Sequence, residues 1–221
     1  MTWIEPLTLS GHGVRLEPLS PDHHDGLVDA VRDGELWRLW FTAVPDPAGM
    51  RAAIDDRLAQ RDAGTMVPFT VVDDVTGAIA GMTSYCNLDP TGPRLEIGWT
   101  WYRAGAQGTG VNTAAKLLLL GHAFDVLDCL AVELRTHRFN AASRRAIEGL
   151  GARLDGILRS HRRQPDGTLR DTCVYSVVAA EWPTVRQHLE FKASRPRRGQ
   201  AGPGVPARED VPAAGQERGS R

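Results

Sequence analysis

Leu95, Ile97, Trp99 and Trp101 alternate with Glu96, Gly98, Thr100 and Tyr102, a period of two that predicts a strand. Val14 to Leu19 alternates in the same way over a shorter span. Val67 to Val72 and Ala78 to Asn87 flank the turn Asp73-Asp74-Val75-Thr76-Gly77 and read as an antiparallel hairpin. Further strands are expected near 130–136, 153–162 and 171–179, the last two joined at Pro165-Asp166-Gly167. Helical patterns fall between them. Ser20-Pro21-Asp22 opens one that runs to about Arg32, and a second spans about Ala48 to Arg61. Thr113 to Leu127 carries Leu117 to Leu120, Ala123, Phe124 and Val126, a broad apolar surface for packing on a sheet. Asn140 opens another helix that closes near Gly151, and a last one covers 181–190. The order β-αα-βββ-α-β-α-ββ combines a hairpin meander with one crossover, which predicts an α+β fold with a mixed sheet.

From Lys192 onward the pattern stops: there is no aromatic, Leu or Ile, and the segment is rich in Pro, Gly, Arg and Ala. The expectation is one domain at 1–191 and a disordered tail at 192–221. That tail holds seven Lys/Arg against three Asp/Glu, leaving 19 basic and 24 acidic residues in the body. A mildly acidic body argues against nucleic-acid binding. No apolar run approaches membrane-spanning length and the first residues lack a signal-peptide pattern, so a cytoplasmic protein without a membrane partner is expected. Cys86, Cys129 and Cys173 are too far apart for a disulfide framework or a metal knuckle, and each sits in an apolar stretch that predicts a buried thiol. The seven histidines lack ligand spacing, so no metal is expected; for His137 and His161 a surface or hydrogen-bonded role is favoured over lining an acceptor groove.

The chemistry concentrates in Gln107-Gly108-Thr109-Gly110-Val111-Asn112, between the alternating strand and the long helix. Backbone N–H groups from Gly108 to Asn112 can curl into a nest at the helix N-terminus, where the macrodipole adds roughly half a positive charge. That is a site for a diphosphate. The dinucleotide fingerprint fails because Thr113 stands where the third glycine belongs, and the P-loop fails for want of Gly-Lys-Ser/Thr.

Gln107-x-x-Gly110 opening a helix after a strand resembles the acyl-CoA loop of the GNAT superfamily of N-acetyltransferases. The pattern departs at its last position, where Asn112 replaces Gly or Ala. A second motif, Asn140-Ala141-Ala142-Ser143 leading to Gly149-Leu150-Gly151-Ala152, is similar to the family's Asn-x-x-Ser/Ala helix. With Leu95-Glu96-Ile97-Gly98-Trp99, the resemblance covers about 13–182 and is closest to the ribosomal-protein N-terminal acetyltransferases.

That resemblance implies a mostly antiparallel central sheet with helices on both faces and splayed fourth and fifth strands. Acetyl-CoA is the implied acyl-donor substrate. Its pantetheine arm would pair with the backbone of Thr100-Trp101-Tyr102, and its diphosphate would rest on residues 107–112. Glu96 is the implied general base. The tyrosine that many members use as an acid is Ile147 here, so Ser143 is the implied donor to the leaving sulfur, with Asn140 both capping its helix and touching the pantetheine amides. Lys116 and Arg144 are within conceivable reach of a phosphate, and Trp37, Trp40 and Phe41 fall in the acceptor-pocket region. The implied reaction is direct acetyl transfer to a primary amine on a protein N-terminus, a lysine or a small molecule. A non-catalytic acyl-CoA-binding or regulatory module is the alternative, prompted by Ile147. The motifs leave open acetyl against succinyl and the acceptor itself, and a homodimer is only the default assembly.

Overall fold

The computed structural model describes residues 3–195. Its eight strands form one sheet in the order β1-β2-β3-β4-β5-β6-β8-β7. They are β1 (Leu9–Gly11), β2 (Val14–Pro18), β3 (Met66–Asp73), β4 (Ala78–Asp89), β5 (Arg94–Tyr102), β6 (Ala131–His137), β7 (Arg153–Arg163) and β8 (Leu169–Val178). The helices are α1 (His24–Arg32), α2 (Met50–Asp62), α3 (Val111–Asp125), α4 (Ala141–Glu148) and α5 (Trp182–Ala193). Every strand pair is antiparallel except β5 with β6, which the crossover through α3 makes parallel. The mixed, mostly antiparallel sheet expected from the sequence is therefore observed.

The strand β1 adds to the expected elements. It is too short to show a period, although Gly11-His12-Gly13 supplies the turn that returns the chain into β2. Its presence makes the splayed pair the fifth and sixth strands here. The last helix continues to Ala193, two residues past the expected domain edge, and residues 196–221 of the tail lie outside the described residues.

The sheet separates two cores. Leu95, Ile97, Val132, Leu134, Cys173 and Tyr175 belong to the larger one, formed with α3 and α5. The smaller joins Leu27 and Val31 of α1 with Met50 and Ile54 of α2, and Trp101 belongs to it. All three cysteines are buried and unpaired, as expected.

Trp101 corrects the alternation read from the sequence. Its partner on β4 is Met82, whereas Gly98 pairs with Ser84, so β5 carries one extra residue at Trp99 and Thr100. This bulge holds Trp99 at φ 52, a costly conformation for a bulky side chain, and it inverts the facing of everything after it. Leu95 and Ile97 face the larger core, Trp101 the smaller, and Trp99 is exposed.

Candidate active site

β5 and β6 share only three register pairs, Arg94 with Ala131, Leu95 with Val132 and Glu96 with Glu133. Beyond Glu96 they diverge, so the edge of β5 from Ile97 to Tyr102 has no strand partner on that side. A cavity of about 730 Å³ fills the opening and passes from the α3 face to the opposite face of the sheet; its walls include Gly98, Thr100, Gly108, Ser143, Arg135 and Arg170.

The glycine loop forms one end. Gly108 at φ 72 and Gly110 at φ 103 are left-handed, which L side chains rarely adopt, and they turn the chain from β5 into α3. Among the described residues, no backbone or side-chain acceptor engages the N–H groups of Gly108, Thr109, Gly110, Val111 or Asn112. Five adjacent donors at the start of a 15-residue helix thus remain available to an anion. The Gln107 side chain is not among them: its Nε2 donates to the Tyr102 carbonyl at 2.9 Å and ties the loop to the strand. Val111 is buried under the helix, so it offers its backbone alone.

The helix α4 forms a second wall. Asn140 caps it, accepting a hydrogen bond from the Ser143 N–H at 3.0 Å. Both residues line the cavity, and among the described residues the Ser143 hydroxyl has no partner. Ile147, where the resemblance would put a tyrosine acid, is buried and also lines the cavity.

Glu96 sits where the two strands part. It is buried, with Asn87 Nδ2 donating to Oε2 at 2.6 Å and Arg135 Nε 3.4 Å from the same oxygen. Burial raises its carboxyl above the ordinary value, against the opposing pull of Arg135 and the Asn87 hydrogen bond. A carboxylate so placed is a base with more proton affinity than a surface glutamate.

The two basic side chains within conceivable reach of a phosphate are engaged inside the protein. Lys116 turns inward beneath β5, its Nζ 2.8 Å from Thr100 Oγ1 and 3.1 Å from Thr83 Oγ1, because its position in α3 faces the sheet. Arg144 donates to the Tyr175 hydroxyl at 3.0 Å, which in turn donates to Glu148 at 2.8 Å. Of the three aromatics, Phe41 lines the cavity. Trp40 is exposed and packs edge-on against His137 with ring centroids 5.1 Å apart, while Trp37 packs on the smaller core. Trp37 therefore belongs to packing and not to the cavity wall.

The cationic side of this cavity has no counterpart among the sequence motifs. Arg57 is buried with its guanidinium 5.1 Å from the Trp99 ring centroid, and it has no carboxylate within ion-pair distance among the described residues. His137 and His161 also line the wall, and both are hydrogen-bonded, to the Phe139 N–H at 3.0 Å and to Thr172 Oγ1 at 3.1 Å. Strand register brings His137 and His161 together, and the packing of α2 adds Arg57.

A family model described as "Acetyltransferase (GNAT) domain" matches residues 14–153. The Bacillus subtilis (strain 168) protein YdaF, named provisionally as a ribosomal N-acetyltransferase, is 32% identical over 106 residues, 48% of this chain and 57% of that relative. The match therefore spans little more than half of that relative. A solved GCN5-related N-acetyltransferase from Brucella melitensis is 29% identical, with a TM-score of 0.77 over 86% of this chain and 87% of the other. A solved protein from T. thermophilus, named provisionally as an acetyltransferase, is 35% identical, with a TM-score of 0.76 over 86% of this chain and 98% of the other.

Proposed function

This chain belongs to the GNAT acetyltransferase family, and we propose that it moves the acetyl group of acetyl-CoA directly onto a primary amine. The observation that carries the reading is the row of five unengaged N–H groups at 108–112, next to an unpaired edge of β5. The first suits a diphosphate, and the second suits an arm of alternating amides that adds to the sheet as a strand would. Thr100, Trp101 and Tyr102 supply that edge, and the cavity connects it to Glu96 and Ser143.

Acetyl-CoA supplies the thioester, and the side chains manage the protons. Unprotonated Glu96 accepts one from the attacking amine, held in place by Asn87 and Arg135. The Ser143 hydroxyl donates to the departing sulfur, helped by the rigid cap at Asn140. No thiol nucleophile is needed: burial pushes Cys86 well above its ordinary value, leaving it an inert thiol.

Release of free thiol from acetyl-CoA with a panel of peptide N-termini, lysines and small amines tests the reading. Turnover of at least one class is expected, and no release from any of them would contradict it. A non-catalytic acyl-CoA-binding module is a second reading, favoured by Ile147 in the place of a tyrosine acid. It predicts CoA binding with no release.

A further inference from the structure

Side chains on β6 and β8 divide cleanly between the two faces of the sheet. Val132, Leu134, Cys173 and Tyr175 face the core under α3, so Arg135 and His137, with Thr172 and Arg170 across the register, face the opposite side. Arg162 of β7 pairs directly with Arg170 of β8, and both line the cavity. Like charges at directly opposed positions repel and destabilise a strand pair. Among the described residues neither arginine makes an ion pair, and Arg170 has only a hydrogen bond to Thr172 Oγ1 at 3.2 Å. Burial, and then the charge of Arg162, pull Arg170 below its ordinary value. Nearby Arg135 is already committed to Glu133 at 2.7 Å and to Glu96.

His137 adds an independent observation. It is 2% exposed, and its Nε2 is buried without any partner. The Phe139 N–H donates to Nδ1 at 3.0 Å, so the ring's own proton belongs on Nε2, leaving a buried donor with nothing to receive it. The opposed arginines and the orphan donor share one wall, on the far side of the sheet from the loop at 107–112. The diphosphate proposed for that loop therefore does not answer them.

We infer that the Arg162/Arg170 pair and His137 form a carboxylate-recognising subsite, so that the acceptor is an amine carrying an acidic group close to the reacting nitrogen. The inference rests on the acetyltransferase reading for the identity of the acceptor, but the subsite itself is a binding claim. Two guanidiniums offer forked donors to a carboxylate, and His137 Nε2–H supplies one more. The same arginines act on Glu96 by charge. An acidic acceptor would neutralise them and raise the proton affinity of that base at the moment the amine is bound.

The test compares acceptors that differ only in charge: a peptide amide opening on Glu against one opening on Gln, and the free α-amide of glutamate against the free α-amide of glutamine. The peptide pair and the free pair separate a protein N-terminus from a small molecule as the source of the carboxylate. Wild type is expected to favour the acidic member by roughly ten- to hundredfold in kcat/KM, mostly through KM. In Arg162→Gln/Arg170→Gln that ratio falls toward one, and in Arg162→Lys/Arg170→Lys part of it returns. Calorimetric binding of the N-acetylated peptides in the presence of CoA gives a readout that needs no turnover. Tighter binding of the acidic one in wild type, lost in the double Gln variant, supports the subsite even if every amine fails as an acceptor, in which case only the transferase reading is lost. Equal turnover and equal binding of acidic and neutral members by wild type would overturn the subsite whether or not the variants fold.

Discussion

Lys116 Nζ lies 2.8 Å from the Thr100 hydroxyl and is buried beneath the bulge of β5 with no carboxylate among the described residues to balance it. Burial pulls its ordinary value of 10.5 down to about 7. Between those values the unfolded chain binds the proton and the folded one does not. The contribution of Lys116 therefore weakens the fold as pH drops from 10.5 toward 7, and the penalty is complete and constant below. Lys116→Met should raise stability at pH 7 by about 2 kcal/mol and flatten the pH dependence above it. Urea denaturation of both proteins from pH 7 to 10 checks this, and an unchanged slope would count against it.

The raised carboxyl of Glu96 has a kinetic signature. An unprotonated base is needed, so kcat/KM should rise with pH through a limb above the ordinary carboxylate range. Glu96→Gln should remove that limb and lower kcat by roughly 10²- to 10⁴-fold, with CoA affinity kept. A pH–rate profile that keeps its limb in the variant would assign the proton transfer elsewhere.

Ser143 presents a hydroxyl without a partner among the described residues, whereas Asn140 holds the backbone of the same turn. Ser143→Ala should therefore lower kcat by about tenfold through loss of one hydrogen bond to an anionic sulfur, at unchanged thermal stability. Asn140→Ala should lower stability as well, by about 1 kcal/mol, because it removes a helix cap. Paired melting curves and rate measurements separate the two effects.

Gly110 stands at φ 103 immediately before α3. Gly110→Ala should strain the loop by about 1–2 kcal/mol and weaken CoA binding by up to about tenfold, leaving the distant β7–β8 hairpin intact. Calorimetric titration with CoA measures the loss.

The order and types of most elements are legible because hydrophobic period and turn residues are local properties. Thus Val67–Val72 and Ala78–Asn87 fall within a few residues of β3 and β4. The loop is legible for a related reason, since glycines before an apolar helix announce an exposed helix end. The bulge at Trp99 is not, because the alternation of Trp99 with Trp101 looks regular until pairing with β4 reveals the extra residue. Nor is the cationic wall legible: Arg162 and Arg170 meet only through the β7–β8 register, which shifts at an irregularity between Leu158 and Arg162. The burial of Lys116 is not legible either, because sequence spacing gives its distance from the loop but not the side of α3 it occupies.

The main-chain amides of Gly108 to Asn112 carry the central claim, and nuclear magnetic resonance can follow them one by one. Addition of CoA should move those amide resonances strongly, whereas pantetheine, which lacks the diphosphate, should leave them in place while shifting Thr100 to Tyr102. If CoA binds and the amides of 108–112 do not respond, the helix end is not the phosphate site and the central claim is wrong.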